Sequence, residues 1–349
     1  MEVALEDKKV LVLGGGIAGV TAALDLAQAG TRVVLVEKEE AIGGQGAHLA
    51  CMALDRCQKC NGCLVEPRLA KALAHPGLTL MTGTEMAKVE REGNGFQISL
   101  ESRPNRGATE LRADSLVLAT GYTPFQAREK SRYGYGRFEN VATVLELDAE
   151  LRQTGQVLSR TTGRPPETAA FIQCVGSRDA TGNNYCSRIC CGFAIRLGRM
   201  LKNRFGTQVT IFYMDIQNFG HVFETTLAAA KAELNLVRAM PSDIFPGEEG
   251  RVIVQHYPDP EAPPVDQPFD MLILSIGLAP GEDNQSLAGL LGLDLDRHGF
   301  FQDGPPAGQG KPEAGIFLAG TAVRPMDVAE AVAHAQRAAQ ETISFLEGN

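Results

Sequence analysis

The sequence predicts an α/β protein made of two parallel-sheet units, the second inserted into the first. Residues 8–38 and 169–214 each contain an apolar β-branched run, a helical run and a second apolar run, which is the order of a βαβ unit. Buried strands followed by small residues lie at 114–121 and 315–322, before and after the second stretch, so the first unit is expected to resume there. The expected bounds are residues 1–147 and 263–349 for the first unit and 148–262 for the inserted unit.

Composition and charge restrict what this chain can bind. Its 349 residues are 44% hydrophobic and 21% charged, as in soluble globular proteins, and its net charge is −9. The negative charge, without a dense basic stretch, argues against nucleic acid and anionic membranes as partners. No apolar run is long enough to span a bilayer, and acidic residues rather than a secretory leader open the chain. We expect a cytoplasmic protein without direct membrane insertion.

The first βαβ unit carries a dinucleotide-binding turn, Gly14-x-Gly16-x-x-Gly19, between its first strand and its helix. The first glycine permits a tight turn, the second lets the backbone approach a diphosphate, and the third lets helix and strand pack closely. The diphosphate is expected on the helix N-terminus. Glu37 follows at the end of the second strand, where we expect it to bind the ribose hydroxyls. The predicted contacts are Gly14, Gly16, Ile17, Ala18, Gly19, Glu37 and Lys38.

Three further segments resemble the FAD proteins related to thioredoxin reductase. Ile42-Gly43-Gly44-Gln45 follows Glu37 closely, residues 114–121 form a strand that runs into a small-residue turn, and residues 315–322 repeat that pattern. The resemblance implies FAD as the cofactor. It also implies two Rossmann-like dinucleotide-binding domains of the thioredoxin reductase type, the second inserted into the FAD domain. The implied FAD contacts are Gly43, Gly44, Gln45, Ala119, Thr120, Gly121, Gly320 and Thr321.

The chain departs from that pattern after the last glycine turn. Many such proteins carry an acid there to hold the ribityl chain, whereas Thr321 and Ala322 stand here. Asp327 and Val328 begin a helix that is expected to run to Leu346. We expect Asp327, with Val328 beside it, to supply the missing polar contact.

The inserted unit lacks a glycine fingerprint. In relatives that reduce thioredoxin, this unit binds NADPH through a GxGxxG turn of its own. Here the first strand is followed by CVGSRD, residues 174–179, and then by YCSRICC, residues 185–191. Thiolates are therefore expected in place of a nicotinamide nucleotide. The predicted elements are a strand at residues 169–174, a helix at 190–204 and a strand at 208–214.

The eight cysteines form two groups of four, which in a reducing compartment suggests metal rather than disulfides. The first group is Cys51, Cys57, Cys60 and Cys63. Its last three members are separated by two residues each and resemble part of a ferredoxin, since such thiolates can turn toward one cluster. A zinc site, a redox-active Cys57–Cys60 disulfide and free thiols remain alternatives.

The second group is Cys174, Cys186, Cys190 and Cys191, whose irregular spacing by itself favours buried structural cysteines. The segment FIQCVGSRDATGNNYCSRICC, residues 171–191, is however very similar to HdrA, the flavoprotein subunit of heterodisulfide reductase, and to its relatives. In that family these cysteines ligate an unusual 4Fe–4S cluster, which the resemblance therefore implies here. The likeness continues in VLATGYTPF (117–125), YGYGRFENV (133–141), LSIGLAP (274–280), HGFF (298–301) and GIFLAG (315–320).

The resemblance to HdrA implies an electron-transfer subunit that contains FAD and a 4Fe–4S cluster. It implies HdrB-like and HdrC-like partner subunits and a homodimer, with NAD as a candidate distal acceptor that no second fingerprint supports. The compact chain resembles the HdrA-like subunits of sulfur-oxidising bacteria and, secondarily, QmoA of sulfate reducers. Arg178 and Arg188, which flank the second cysteine group, are candidates for offsetting thiolate charge. No catalytic acid or base is predicted.

Two other classes of function stay open. One is a free-standing FAD disulfide reductase that uses Cys57 and Cys60, although such an enzyme needs its own electron source and the NADPH fingerprint is missing. The other is a metal-binding scaffold with a vestigial flavin fold, which bound flavin would exclude.

Overall fold

The computed structural model describes residues 4–103, 107–217, 223–259, 261–302 and 314–348. These residues divide into two compact units. The first unit contains the described parts of Met1–Ala47, Asn61–Thr123 and Pro280–Asn349, and the second contains those of His48–Cys60 and Pro124–Ala279.

The helices expected at residues 190–204 and 328–346 and the strands expected at 169–174 and 208–214 are present, together with elements that the sequence did not predict. The helices are α1 (Ile17–Gln28), α2 (Val65–Ala74), α3 (Val144–Thr154), α4 (Cys190–Phe205), α5 (Phe223–Glu233), α6 (Asn284–Leu291) and α7 (Val328–Glu347). The strands are β1 (Lys9–Leu13), β2 (Arg32–Val36), β3 (Leu78–Met81), β4 (Thr84–Glu92), β5 (Gly95–Ser102), β6 (Gly107–Ala113), β7 (Ser115–Leu118), β8 (Tyr122–Pro124), β9 (Val141–Thr143), β10 (Thr168–Val175), β11 (Gln208–Phe212), β12 (Asn235–Val237), β13 (Asp243–Pro246), β14 (Val252–His256), β15 (Val265–Phe269), β16 (Met271–Ile276), β17 (Leu278–Pro280) and β18 (Ile316–Leu318). Within the described ranges, no helix combines the length and the apolar character that crossing a bilayer requires.

A parallel five-stranded sheet of order β18-β7-β1-β2-β3 forms the centre of the first unit. Val10 and Val12 of β1 belong to a core that includes residues of α1 and α7. Leu11 and Leu13, on the opposite face, belong to a core that includes residues of α6 and of the antiparallel sheet β4-β5-β6. Because both faces of the sheet are buried at β1, its residues 10–13 form a continuous run of Val and Leu.

The second unit contains another parallel five-stranded sheet, of order β12-β11-β10-β16-β9, and the antiparallel sheet β13-β14-β15. Phe171, Phe212 and Met271 are fully buried in its core, and Leu197 and Leu201 of α4 belong to the same cluster. The unit is longer at both ends than the expected 148–262. The reason is strand pairing, because both β9 and β10 pair with β16 and so bring residues before and after that range into one sheet.

Both parallel sheets place glycine- or cysteine-rich segments at the carboxyl ends of their strands. Gly14 follows β1, Ala119 follows β7 and Ala319 follows β18, so three predicted segments meet at one edge of the first sheet. In the second sheet the cysteine segment follows β10. Ligands of open α/β sheets bind at this edge, which locates a candidate site in each unit.

Candidate functional site

Of the three motif glycines in the turn after β1, only one has room for a side chain. Gly14 has φ +105°, and a Cβ there would lie 2.3 Å from the Ala119 carbonyl oxygen. A Cβ at Gly19 would lie 1.8 Å from the Gly14 carbonyl oxygen, so α1 passes too close to β1 for a side chain. A Cβ at Gly16 would instead meet no heavy atom of the described chain within 4 Å. Gly16 therefore borders open space, as a backbone that approaches a diphosphate must.

The start of α1 provides the anion-binding end of a helix. Gly16 is the N-cap residue, and no side chain among the described residues caps the helix. The amides of Ile17 and Ala18 lie in the first turn, where backbone N–H groups and the helix dipole favour a negative charge. A diphosphate at this point would be bound by the backbone alone.

The loop after β2 lies against the glycine turn. Gly43 N donates a hydrogen bond to Gly15 O at 2.8 Å, and Gly43 and Gly16 form an isolated parallel bridge. Gly43 and Gly44 have φ values of +123° and +50°, and Gln45 is exposed in the short turn that follows. The structure thus brings two predicted glycine segments together, and leaves Gln45 at the surface.

Glu37 lies at the edge of a cavity of about 150 Å³. It is 8% exposed, and its carboxylate accepts hydrogen bonds from Gly15 N (2.6 Å) and Glu39 N (2.9 Å). Lys38, beside it, forms an ion pair with Asp283 at 2.7 Å. The residues that line the cavity are Leu13, Gly14, Val36, Glu37, Lys38, Thr84, Glu85, Met86, Thr120, Asp283, Ser286, Leu287 and Leu290.

Sequence reasoning missed two walls of this cavity. Thr84, Glu85 and Met86 come from the start of β4, and Asp283 and Leu290 come from the segment around α6. No glycine or charge pattern marks these residues. They become visible only when the sheet topology brings them beside β1 and β2.

The segments after β7 and β18 meet near the same edge. Gly121 has φ +79°, and a Cβ there would lie 3.9 Å from Thr321 Oγ1. Thr120 Oγ1 is buried and has no hydrogen-bond partner within the described residues. A buried hydroxyl without a partner is costly, which indicates that a polar ligand group bonds to it.

His334 is a functional candidate that the sequence did not reveal. Its Nδ1 accepts a hydrogen bond from Gly320 N at 3.1 Å and so holds the second glycine turn. Burial lowers the pKa of His334 to about 4, with the nearby Arg337 and Arg324 acting in the same direction. The imidazole is therefore neutral at physiological pH.

Asp327 has a structural task in the described chain. It is the N-cap of α7, its Oδ1 accepts from Glu330 N at 2.8 Å, and Glu330 Oε2 accepts from Asp327 N at 3.1 Å. Val328 is the first residue of the helix. This capping box accounts for an acid at this position without a ligand, so contact with the ribityl chain stays a prediction.

The residues of the first unit fit FAD. Gly16 borders open space, α1 begins without a side-chain cap in the described chain, and Gly14 of the same turn lines the cavity beside Glu37. Thr120 supplies a buried hydroxyl that lacks a partner within the part of the chain described. These features suit the diphosphate and the ribose of a dinucleotide.

The second cysteine group lies around the carboxyl end of β10. The pairing of β10 with β16 shifts register between Ile172 and Val175, and Cys174 in that irregular stretch has φ +59°. Such a bulge re-aims a side chain out of the sheet. Cys190 and Cys191 are the first two residues of α4, and both are buried.

Burial and mutual repulsion raise the pKa values of three of these thiols, Cys174, Cys190 and Cys191. Burial raises the pKa of Cys174 to about 12, and the negative charges of Cys191 and Cys186 add to the rise. Burial also raises the pKa of Cys190 well above its ordinary value, followed by the charges of Cys174, Cys191 and Cys186. These interactions place the four sulfurs in one group. These cysteines can be deprotonated together only when a bound cation offsets the charge of their thiolates.

The loop that carries the group is rigidly built. Ser177 and Ser187 hydroxyls lie 2.6 Å apart, and Ser187 Oγ accepts from Leu278 N at 2.8 Å. A Cβ at Gly277 would lie 2.2 Å from Ser177 Oγ. Tyr185 donates its hydroxyl to Leu278 O at 2.8 Å. These hydrogen bonds hold the loop in place next to the cysteines.

Across the described ranges, no three His, Cys, Asp or Glu side chains surround a point where one metal ion could bind. A 4Fe–4S cubane makes a different demand, because each of its four irons takes one cysteine and the sulfurs therefore lie farther apart than around a single ion. The second cysteine group, with two buried members and mutual repulsion among its thiols, supplies the number and kind of ligands that a cubane takes.

The first cysteine group is divided between the two units. Cys51, Cys57 and Cys60 belong to the segment 48–60 of the second unit, and Cys63 belongs to the first. Cys51, Cys57 and Cys63 are exposed, and Cys60 is half-buried.

Comparison with known proteins confirms the predicted fold. Residues 8–156 match the family of pyridine nucleotide-disulphide oxidoreductases, in agreement with the prediction of a flavin oxidoreductase. The thioredoxin reductase of Lactococcus lactis superposes with a TM-score of 0.65 at 20% identity, covering 98% of this chain and 100% of that chain. The parallel sheets are therefore those of the thioredoxin reductase type.

Two curated relatives, both HdrA proteins, confirm the resemblance to HdrA. The iron-sulfur HdrA protein of the CoB–CoM heterodisulfide reductase of Methanocaldococcus jannaschii is 31% identical, and the match covers 95% of this chain and 63% of that protein. The HdrA protein of the ferredoxin:CoB–CoM heterodisulfide reductase of Methanosarcina mazei is 28% identical, with 97% and 53% covered. The chain thus spans less than two thirds of the length of either relative.

Proposed function

We propose that this chain is an FAD- and 4Fe–4S-containing electron-transfer subunit of a heterodisulfide-reductase-like complex. One observation carries the proposal. Four thiols gather at the carboxyl end of β10, in the inserted unit whose counterpart in related folds binds a nicotinamide nucleotide. An oxidoreductase with thiolates at that position exchanges electrons through a metal cluster instead.

Residues of the first unit would hold the flavin nucleotide. The amides after Gly16 would bind the diphosphate, Glu37 would accept from the ribose hydroxyls, and Thr120 would bond to a polar group of the nucleotide. FAD supplies the ability to accept two electrons and to release them singly. The neutral His334 accepts from the Gly320 amide and so orients the second glycine turn.

Cys174, Cys186, Cys190 and Cys191 would hold the cluster. Each thiol loses its proton when it binds iron, so the raised pKa values make binding dependent on the positive charge of the irons. Cys190 and Cys191 lie in the first turn of α4, where the helix dipole favours thiolates. The cluster supplies transfer of one electron at a time.

The partners and the setting are part of the same proposal. The matched relatives are named as parts of larger reductases, which supports HdrB-like and HdrC-like partners here. We assign the chain to a cytoplasmic homodimer in dissimilatory sulfur oxidation, with a QmoA-like role in a quinone-interacting complex as the alternative. NAD is retained as a candidate distal acceptor.

Two assays on anaerobically purified protein test the function. The first measures turnover with NADPH and a small aromatic disulfide, and none is expected because the inserted unit has no glycine turn. The second records the electron paramagnetic resonance signal after reduction with dithionite, which should weaken in Cys190→Ser/Cys191→Ser relative to wild type. NADPH-dependent disulfide turnover that disappears in Cys57→Ser/Cys60→Ser would instead establish a disulfide reductase.

A further inference from the structure

The loop that carries Cys57 and Cys60 is fastened to the body of the second unit by a buried glutamine. Gln58, between the two cysteines, is only 6% exposed. Its side-chain amide donates to the Met52 carbonyl and to the Arg196 carbonyl, the latter at 3.1 Å. An exposed loop does not need a buried amide between its thiols, so this segment is built to hold them in place.

Two arginines of α4 complete the attachment. Arg196 Nε donates to Gln58 O at 2.9 Å, and Arg199 Nη1 donates to Gln58 Oε1 at 3.2 Å. Arg199 is itself fixed by Glu233, whose carboxylate lies 2.8 Å away. Both polar ends of the Gln58 side chain are therefore satisfied, which fixes the orientation of the loop.

The helix that receives this loop is the one that begins with Cys190 and Cys191. Arg196 follows Cys191 by five residues, a rise of about 7.5 Å along the helix axis. At Arg196 the loop with Cys57 and Cys60 is thus anchored within two helical turns of two proposed cluster ligands.

The two cysteine groups share a local hydrogen-bond geometry. Lys59 N donates to Cys57 Sγ at 3.3 Å, and Arg188 N donates to Cys186 Sγ at 3.3 Å. Both donors stand two residues after the cysteine and have positive φ, +54° and +65°. Backbone N–H groups that point at sulfur stabilise a thiolate and tune the metal it binds.

Backbone strain in the described chain is concentrated beside cysteines. Five of the six non-glycine residues with positive φ lie within four residues of a cysteine of one group or the other. A side chain in this region costs free energy, and such strain collects at functional sites. The residues with positive φ are Lys59, Asn61, Cys174, Arg178, Arg188 and Glu249.

The loop has only one of the two features that activate a redox disulfide. The reactive cysteine of a Cys-x-x-Cys pair is activated at a helix N-terminus or beside a cation. Neither Cys57 nor Cys60 begins a helix, since the backbone there is irregular. Cations do flank them, at Arg56 and Lys59, but these charges serve a thiolate bound to metal equally well.

We propose that Cys51, Cys57 and Cys60 bind a second iron–sulfur cluster, on the loop fastened to α4. Each of the three thiols releases its proton to solvent when its sulfur bonds to iron. The inference extends the proposed function. It rests on that function only because the loop around Cys57 is compared with the second cysteine group, which is proposed to bind a cluster.

The test uses the full chain, purified anaerobically after expression with iron and cysteine supplied, in four versions. These are wild type, Cys57→Ser/Cys60→Ser, Cys190→Ser/Cys191→Ser and Ala53→Ser, the last a control in the same exposed loop that removes no thiol. Iron, acid-labile sulfide, zinc and FAD are counted per chain, and Mössbauer spectra of ⁵⁷Fe-enriched samples identify clusters.

Wild type and Ala53→Ser should hold clearly more iron than a single cubane, which contains about four atoms. Cys57→Ser/Cys60→Ser should lose the excess iron and keep its FAD and about four irons, which also shows that it folds. Unchanged iron in this variant overturns the inference, as does zinc in place of iron or a Cys57–Cys60 disulfide found by mass spectrometry without reductant. Loss of iron in Cys190→Ser/Cys191→Ser reports on the proposed function alone, so failure of one proposal is distinguishable from failure of the other.

Discussion

Arg178 forms a two-pronged ion pair with Asp215, with 3.0 Å between Nη2 and Oδ2, beside the second cysteine group. The guanidinium lowers the pKa of Asp215 and, by its charge, also opposes the rise in the pKa of Cys174. Arg178 has φ +55°, so the chain accepts strain to place this charge. The pair therefore acts on the electrostatics of whatever the cysteines bind.

Arg178→Gln should lower the reduction potential of the cluster, because the added electron loses a nearby positive charge. The shift should be on the order of 50 mV, given a residual interaction of about 1 kcal/mol at the protein surface. A redox titration followed by electron paramagnetic resonance measures it. Asp215→Asn removes the opposite charge and should raise the potential. Shifts of the same sign in both variants would show that the effect is not electrostatic.

Gly14→Ala and Gly16→Ala form a matched pair that separates folding from flavin binding. At Gly14 a Cβ would lie 2.3 Å from the Ala119 carbonyl oxygen, and the positive φ is strained for any residue with a side chain. The Gly14→Ala variant should therefore lose about 3 kcal/mol of stability or more. A Cβ at Gly16 meets nothing in the described chain, so that variant should fold normally yet bind FAD at least about tenfold more weakly, a loss of about 1.4 kcal/mol.

Thermal unfolding of the two variants and flavin fluorescence titration of apoprotein are the measurements. If Gly16→Ala bound FAD as tightly as wild type, the open space at this glycine would not be the diphosphate site.

Asp148 should make stability depend on pH. It is 1% exposed on α3, one of its oxygens accepts from Ala50 N at 3.2 Å, and burial raises its pKa to about 7 from 3.8. Because the folded chain holds this proton at higher pH than the unfolded chain, stability falls as pH rises through the window from 3.8 to about 7.

Asp148→Asn removes that dependence and can still accept from Ala50. Its advantage over wild type in free energy of unfolding should therefore grow by about 1–2 kcal/mol between pH 5.5 and pH 8. Anaerobic thermal unfolding across this range tests it, and parallel curves for the two proteins would show that Asp148 does not titrate there.

The sequence predicted the parts of the fold that depend on local patterns. The glycine turn at Gly14 and the strand before Cys174 follow from runs of β-branched residues and from fixed spacings. The sequence did not predict the roles of His334, Gln58 and Asp215. Each of these residues either contacts a segment that is remote in the sequence or is marked by no motif. Such contacts depend on topology and packing, which periodicity does not encode.

The sequence did not predict the boundaries of the inserted unit, for a similar reason. β9 precedes the expected boundary at 148, and only its pairing with β16 assigns it to the second sheet. A three-residue strand carries too little pattern to be recognised. The segment 48–60 likewise joins the second unit through Gln58 and Ala50, whose partners lie about 100 residues or more away.

The content of iron, acid-labile sulfide and FAD per chain shows whether the thiols beside β10 bind a cluster in a flavoprotein. Anaerobically purified Cys190→Ser/Cys191→Ser should contain about four irons and four sulfides fewer than wild type, with its FAD unchanged. Equal iron and sulfide in the two proteins would show that these thiols do not hold the cluster, which would then lie elsewhere in the chain.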